Sequence, residues 1–273
     1  MSANALSVSA NAPVRLPTKF LEKIWGARDL SPWYPLSQNK IGEVWFEADL
    51  PLLVKFVFTS DRLSVQVHPN DSFAATHENS RGKTEMWYVL RADPGAQLAI
   101  GFREPLSRER LRQAAVSGEV ERLLHWVDVQ AGDVFFIPAG TVHAIGTGLA
   151  LCEIQQHSDI TYRLYDYGRP RELHLDKAIQ AASTAASDPK PRLLPVDCEY
   201  FHVELARTAS LLQYKPAPDR FHLLIFLSGS GTIAGQAFRE GETWLIPSGA
   251  KPFVIQPADP VKFLRAWVPH PAG

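Results

Sequence analysis

Polar and apolar residues alternate along much of the chain with a period of two, which is the spacing of a half-buried β-strand. The stretch 63–68 shows it best, because Ser64, Gln66 and His68 fall on one face while leucine and valine fall on the other. A buried polar face is costly unless its groups are paired or bound. This face is therefore either solvated, as many polar strand faces are, or it holds a ligand such as a metal ion.

Stretches with strand-like patterns occupy both halves of the chain. In the first half they are 42–48, 52–58, 85–90, 97–102, 133–137, 149–156 and 160–165, and in the second half 200–206, 209–214, 221–227, 231–234, 242–246, 252–256 and 261–268. The aromatic- and proline-rich stretch 14–36 is predicted to be an irregular lead-in, and 70–84 to be a loop. Many short strands separated by turns predict a mainly β protein, built as a barrel or jelly roll.

A helical period interrupts the strands of the first half. Ser107 can cap a helix that Gly118 ends, and 119–126 can form a second short helix. We therefore predict a small helical insertion at about 105–126 in a β protein. A further helix is predicted at 175–182.

A nine-residue pattern occurs twice, at 132–140 and at 241–249, and reads Gly-acidic-x-aromatic-apolar-Ile-Pro-small-Gly. It describes a strand that is entered through a glycine turn and left through a Pro-x-Gly turn. Agreement at eight of nine aligned positions predicts a duplicated unit. His143 follows the first copy by three residues, whereas Pro252, which cannot bind a metal, follows the second. A ligand at this position is therefore predicted only in the first half.

The stretch 181–192 is rich in alanine, serine and proline and is predicted to be a linker. It separates an N-terminal catalytic domain, 1–180, which contains the helical insertion, from a C-terminal domain, 193–273, without metal ligands. The first dozen residues have neither the basic start nor the apolar core of a signal peptide, and we predict a flexible tail there.

Composition excludes some classes of partner. The 273 residues include 28 Lys and Arg against 29 Asp and Glu, and such a balance argues against a nucleic-acid partner. No apolar run approaches the roughly 20 residues of a membrane helix. Cys152 and Cys198 lie far apart and outside any CxxC motif, so we expect a cytoplasmic protein without a disulfide framework. A monomer and a homodimer both remain open.

The first copy of the repeat, continued to His143, resembles the second motif of the cupin superfamily. In cupins a first motif supplies further ligands from a neighbouring strand, and Gln66-x-His68 followed by Glu85 fits that place. Two imidazoles, a carboxylate and an amide oxygen suit zinc or a neighbouring transition metal. Taken alone, His143 could equally be a turn residue whose ring bonds to the backbone.

Four sequence blocks narrow the resemblance. They are Gln-Val-His-Pro-Asn-Asp, Gly-Lys-Thr-Glu-Met-Trp-Tyr, Pro-Ala-Gly-Thr-Val-His-Ala-Ile-Gly and Glu-Ile-Gln-Gln-x-Ser-Asp-Ile-Thr-Tyr-Arg-Leu-Tyr-Asp-Tyr-Gly-Arg. In this order, across residues 60–170, they resemble the type I mannose-6-phosphate isomerases in their short bacterial form. His157 departs from the family pattern, which more often has Asn or Ser there.

The resemblance implies a fold of two cupin-like jelly-roll barrels and a sugar phosphate as substrate. It also implies one zinc ion per chain, and the implied ligands are Gln66, His68, Glu85 and His143. The implied functional residues are Lys83, Glu153 and Arg163.

The same residues can be read without the family. An aldose–ketose isomerase moves a proton between C1 and C2 through an enediolate, so it needs a base, a group to hold the negative oxygen and a phosphate anchor. Arg163 and Lys83 suit phosphate or the enediolate, and Glu153 or a zinc-linked water suits the proton shuttle. Alternatively, Arg163 forms a structural ion pair with Glu153 or Asp159, and Lys83 is a solvated loop lysine.

Two other function classes share the predicted fold. A metal-dependent cupin dioxygenase would favour iron held by histidines and a carboxylate, and Gln66 in the ligand set argues against it. A non-catalytic, sugar-binding pair of cupin domains would not need an intact ligand set together with Lys83 and Arg163. Fold alone cannot decide among these classes.

Overall fold

The computed structural model describes residues 11–269, so residues 1–10 of the predicted tail lie outside the described range. This part of the chain is mainly β, as predicted. Its strands are β1 (Val14–Arg15), β2 (Thr18–Ala27), β3 (Ile41–Phe46), β4 (Leu52–Phe58), β5 (Val65–Val67), β6 (Glu85–Ala92), β7 (Gln97–Phe102), β8 (Leu124–Asp128), β9 (Val134–Ile137), β10 (His143–Ile145), β11 (Leu149–Gln156), β12 (Tyr162–Tyr165), β13 (Val196–Asp197), β14 (His202–Thr208), β15 (Leu212–Tyr214), β16 (His222–Ser228), β17 (Ser230–Ile233), β18 (Gln236–Arg239), β19 (Thr243–Ile246), β20 (Phe253–Pro257) and β21 (Val261–Trp267). Its helices are α1 (Asp71–Glu78), α2 (Arg108–Ser117), α3 (Val120–Leu123) and α4 (Leu175–Ala181). None of these helices is long and apolar enough to cross a bilayer.

The described chain forms two compact units. The large unit comprises 18–30 and 35–193, and the small unit comprises 11–17, 31–34 and 194–269. The sequence divides the chain into two continuous domains and a linker, and that division stays a prediction. The small unit differs from it by including two segments from the N-terminal region.

Two sheets and a helical layer build the large unit. One sheet has the strand order β2-β3-β4-β11-β6-β9 and the other the order β12-β5-β10-β7-β8. A buried apolar cluster draws side chains from both sheets, including Trp87, Ile100 and Leu151. The opposite face of the second sheet is covered by α2, α3 and α4, where Val65 and Val67 join a second apolar cluster. The valines of β5 therefore face the helices, and its one polar residue, Gln66, faces the space between the sheets.

Two predicted irregular stretches contain regular elements. The lead-in includes the ten-residue β2, which pairs with β3 along its first half. The predicted loop 70–84 includes α1, whose first turn is capped by Asn70, with Oδ1 accepting from the Phe73 amide at 2.9 Å. Ala74 is the only buried residue of α1, so the helix lacks the apolar periodicity that would have predicted it.

The helical insertion is shorter than predicted. Its first helix, α2, has the predicted cap, since Ser107 Oγ accepts from the Arg110 amide at 3.0 Å. The second helix stops at Leu123, and the chain continues as β8, which pairs with β7. Pairing with an existing strand overrides the weak local preference for helix in this segment.

The small unit also contains two sheets, with strand orders β1-β19-β16-β21-β14-β13 and β15-β20-β17-β18. Its core includes Phe226, whose ring is stacked on Phe238 with centroids 3.9 Å apart. Phe263 and Trp244 enclose the same cluster. An apolar core drawn from both sheets accounts for the compactness of this unit.

The two copies of the nine-residue pattern occupy matching ladder positions. In the large unit Ile137 of β9 lies opposite Glu85 of β6. In the small unit Ile246 of β19 lies opposite His222 of β16. The two copies therefore match in strand pairing as well as in sequence. Each copy pairs with a strand whose first residue is buried and titratable, Glu85 in β6 and His222 in β16.

We expect Phe226→Ala to lower the free energy of unfolding by about 3–5 kcal/mol, because it removes a fully buried ring and leaves a cavity. Urea denaturation followed by circular dichroism measures the change. Leu211→Ala in the same unit is the control, since Leu211 is 55% exposed and its removal leaves no cavity. Equal midpoints for the two variants would contradict the packing described here.

Candidate metal centre and active site

The second sheet of the large unit places three predicted site residues in one row. β5 lies between β10 and β12. Gln66 of β5 is opposite His143 on one side and opposite Arg163 on the other. Residues directly opposite each other in an antiparallel ladder project to the same face, so these three side chains share the face turned away from the helices.

The first sheet places a second row of polar residues. Lys55 of β4, Glu153 of β11 and Trp87 of β6 are consecutive partners across the sheet. Glu85 begins β6 two residues before Trp87 and therefore shares its face. Cys152 pairs with Phe56 and projects to the opposite face, so it is a core thiol outside the site.

His68, Glu85 and His143 form the buried centre of the site, with one ligand atom from each within 4.8 Å of the others. Nε2 of His68 lies 3.6 Å from Glu85 Oε2, and Nε2 of His143 lies 3.7 Å from Glu85 Oε1. The amide nitrogen of Gln66 lies 3.3 Å from His143 Nε2, and the Ser64 hydroxyl donates to Gln66 Oε1 at 3.2 Å. The structure thus brings all four predicted ligands together.

Backbone carbonyls fix the tautomer of both imidazoles. Nδ1 of His68 donates to the Ile160 carbonyl at 2.8 Å, and Nδ1 of His143 donates to the Thr141 carbonyl at 2.9 Å. Because a carbonyl can only accept, the ring proton is on Nδ1 and the Nε2 lone pair faces Glu85. Burial lowers the pKa of His143 to about 4 and that of His68 well below its ordinary value, so both rings are neutral near pH 7.

This donor set fits a divalent metal ion. Neutral imidazole nitrogens oriented by backbone hydrogen bonds, together with a carboxylate, are the usual ligands of zinc and its neighbours. The alternative interpretation of His143, a ring bonded to the backbone, holds at Nδ1. Its Nε2 atom still faces the other predicted ligands, with the amide nitrogen of Gln66 at 3.3 Å. The residues of this centre therefore supply the types of ligand that the sequence predicts for a metal ion.

Two lysines pair with the carboxylates of the site, and Lys83 bridges both of them. Nζ of Lys83 lies 2.8 Å from Glu85 Oε2, 3.4 Å from Glu153 Oε1 and 3.1 Å from His68 Nε2. Nζ of Lys55 lies 3.6 Å from Glu153 Oε1. Lys83 is only 4% exposed, so the alternative of a solvated loop lysine is wrong.

Burial and the neighbouring charges shift the pKa values of Glu85, Glu153 and Lys83. Burial, reinforced by the neighbouring Glu153 carboxylate, raises the pKa of Glu85 to about 7. Burial also disfavours the Glu153 carboxylate, but the ammonium groups of Lys83 and Lys55 outweigh it and lower the pKa of Glu153. Likewise, Glu153 and Glu85 overcome the burial of Lys83 and raise its pKa. Lys83 is therefore a fixed cation near pH 7 and Glu153 a fixed anion.

Sequence reasoning missed Lys55 as a site residue. It lies in β4, all seven of whose residues are buried, and its Nζ is 4.4 Å from the centroid of the Trp45 ring. Its second carboxylate neighbour is the exposed Asp159, at 3.9 Å. The available signal was a lysine inside an otherwise apolar run, because a buried lysine is rare unless it is paired.

Arg163 lies at the edge of the site and is half-buried. Its Nε atom is buried and has no hydrogen-bond partner among the described residues. Glu153 pairs with the two lysines instead, and Asp159 lies beside Lys55, so neither makes the structural ion pair with Arg163 that the sequence left open. Burial and the nearby Arg171 lower the pKa of Arg163. A cation in this setting is suited to an anionic ligand.

A hydrogen-bonded loop fixes the position of Lys83. Asp71 Oδ1 accepts from the Gly82 amide at 2.7 Å and from Gln156 Nε2 at 3.0 Å. The side-chain oxygen of Gln156 accepts from the Thr84 amide at 2.8 Å. A Cβ at Gly82 would lie 2.5 Å from backbone atoms of the neighbouring segment, so glycine is required for this close approach.

His157, the departure from the family pattern, contacts none of the four predicted ligands. Its side chain is exposed, and Nδ1 donates to the Leu50 carbonyl at 2.7 Å. The departure therefore leaves the ligand set unchanged.

Comparisons with known proteins indicate the family of the chain. The chain is 34% identical to a mannose-6-phosphate isomerase of Bacillus subtilis, over 89% of its own length and 96% of that protein. It is 37% identical to a mannose-6-phosphate isomerase of Streptococcus mutans, over 74% of the chain and 69% of that protein. The crystal structure of the mannose 6-phosphate isomerase from Bacillus subtilis aligns with a TM-score of 0.84 and 26% identity, covering 94% of this chain and 99% of that one.

No protein-family model matches the chain. The identity to curated relatives extends over nearly the whole chain, and the structural similarity covers both compact units. The chain belongs to the mannose-6-phosphate isomerase family.

Proposed function

We propose that this protein is a zinc-dependent aldose–ketose isomerase that interconverts mannose 6-phosphate and fructose 6-phosphate. The observation that carries the proposal is the buried His68–Glu85–His143 cluster beside the Lys55–Glu153–Lys83 network, in a chain of this family. We also propose that the fold consists of two cupin-like barrels, with the helical insertion in the first. Matching ladder positions of the two repeats support it.

In this proposal Gln66, His68, Glu85 and His143 hold the zinc ion. When bound, zinc acts as a Lewis acid that polarises the substrate oxygens and makes the proton on the adjacent carbon more acidic. The enclosing sheets exclude bulk water from the centre, and this strengthens every charge interaction there.

The lysine–glutamate network supplies the groups for proton transfer and charge stabilisation. Glu153 stays ionised near pH 7 because two ammonium groups lie within 3.6 Å of its Oε1, so it is the carboxylate available to accept a proton. Lys83 stays charged and can donate hydrogen bonds to the developing oxyanion. Lys55 holds the Glu153 carboxylate from the other side and limits its basicity.

Arg163 is the proposed partner of the phosphate or of the enediolate. It shares a face with Gln66 and His143, and no carboxylate pairs with it among the described residues. Its delocalised, forked cation matches phosphate oxygens better than lysine does. Kinetics of Arg163→Ala would separate the two roles, because an anchor mainly affects KM and an oxyanion partner mainly affects kcat.

A coupled assay that converts mannose 6-phosphate to fructose 6-phosphate tests the proposed activity directly. We expect turnover by the metal-loaded protein and no oxygen consumption. Oxygen consumption without isomerisation would favour the cupin dioxygenase instead. Binding of the sugar phosphate without turnover would favour a non-catalytic sugar-binding protein.

We expect His143→Ala to abolish metal retention and isomerase activity together, because it removes one of two imidazole ligands. Metal analysis after gel filtration, combined with the coupled assay, measures both. His125→Ala is the control, since His125 lies in β8 and its ring bonds to the Ser187 carbonyl, outside the cluster. Full activity of a metal-free preparation would refute the metal role.

We expect Lys55→Met to lower kcat by about 10- to 100-fold, because it removes one of the two cations that hold Glu153. Losing that cation also raises the pKa of Glu153, so the acid limb of the pH–rate profile should move to higher pH. Lys55→Arg keeps the charge and should retain more activity. A wild-type profile for Lys55→Met would exclude Lys55 from the site.

A further inference from the structure

Arg163 belongs to an edge strand whose free side is closed by a histidine. β12 pairs with β5 on one side only. On the other side the Arg163 amide donates to Nδ1 of His174 at 3.1 Å, and the His174 amide donates to the Arg163 carbonyl at 2.8 Å. One residue thus satisfies both backbone groups that the edge strand would otherwise expose at this position.

This closure affects how Arg163 faces the site. Because its amide and carbonyl are directed at His174, they are turned away from β5, and Arg163–Gln66 is a non-hydrogen-bonded pair of the ladder. In such pairs the opposed side chains lie closest, at a Cα separation of about 4.5 Å. The bonds to His174 therefore keep the Arg163 side chain beside the predicted metal ligand Gln66.

The position of His174 is itself fixed. It precedes α4, and its carbonyl accepts from the Ala178 amide at 2.8 Å. Lys177 of α4 and the Tyr162 hydroxyl both donate to Glu78 Oε1, each at 2.7 Å, which ties α4 and β12 to α1. The ring of His174 is thus presented to β12 by an anchored element.

We propose that His174 is a positioning residue for Arg163, which it holds at the substrate side of the metal centre through this pair of backbone bonds. The inference rests on the proposed function, in which Arg163 binds phosphate or the enediolate. His174 does not touch the reacting atoms in this scheme. It acts through Arg163 alone, so a change at His174 should matter much less once Arg163 has been altered.

Two substitutions separate the hydrogen bond from the shape of the ring. His174→Phe keeps an aromatic ring but removes the acceptor for the Arg163 amide. His174→Asn keeps an acceptor and is a favourable residue at a helix start. We expect His174→Phe to lower kcat/KM for mannose 6-phosphate by about tenfold, with the same division between KM and kcat that Arg163→Ala shows, and His174→Asn to restore most of it.

A double-mutant cycle distinguishes positioning from general destabilisation. In an Arg163→Lys background, His174→Phe should lower kcat/KM much less, because the arginine through which His174 acts has already been replaced. Equal effects in both backgrounds would overturn the proposal. His125→Phe is the matched control, since His125 is also half-buried with Nδ1 bonded to the backbone, and it should leave kinetics unchanged.

Hydrogen exchange of the Arg163 amide, followed by NMR on the metal-loaded protein, tests the same claim without turnover. We expect the amide to be protected in the wild type and in His174→Asn but to exchange faster in His174→Phe. Unchanged exchange in His174→Phe would overturn the proposal whether or not the protein is active. A wild-type chain with no isomerase activity would instead refute the proposed function.

Discussion

The buried ion pairs among Lys55, Glu153, Lys83 and Glu85 are the constraint on which the site depends. Removing a charge from water costs roughly several kcal/mol even after relaxation, so each of these groups must lie next to an opposite charge. The partners come from three adjacent strands and a loop, and a shift of one residue in any ladder would turn a charge to the other face. The strand register of the first sheet is therefore also the geometry of the site.

The small unit shows the same ladder with different chemistry. Glu204 of β14 lies opposite Arg265 of β21, in the ladder position that Lys55 and Glu153 occupy in the large unit. The two side chains form an ion pair here as well, but the acid and the base have exchanged strands. His222, in the ladder place of Glu85, shares a 2.6 Å hydrogen bond with the Tyr214 hydroxyl. His222 and Tyr214 therefore satisfy each other, and among the described residues of that unit no cluster of metal-ligand atoms forms.

Residue spacing predicted the parts of the structure that depend on local pattern. The bounds of β4, β7 and β11 match the predicted stretches, because each is a buried strand between clear turns. The proposed ligand set came from the resemblance to the cupin motifs. Lys55 could not be found from alternation, since β4 is buried on both faces and alternation carries no information there.

Other parts of the structure depend on contacts that no local pattern encodes. β2 is a strand because β3 pairs with it, although its exposed residues alternate only weakly with buried ones. His174 reaches Arg163 across eleven residues, through a contact that exists only because β12 ends the sheet. Sequence reasoning identifies residues whose chemistry is unusual, but it cannot identify a residue whose role is to hold the backbone of another.

Charge balance links the metal centre to the choice of substrate. Two ammonium groups balance two carboxylates in the network, so without a metal ion the buried centre carries little net charge. The proposed divalent ion would leave two positive charges uncompensated, and Arg163 at the edge adds a third. Such a site would attract the proposed phosphorylated sugar and would stabilise an enediolate more strongly than a neutral carbonyl. In this proposal, metal binding and recognition of an anionic substrate are two consequences of one arrangement of charges.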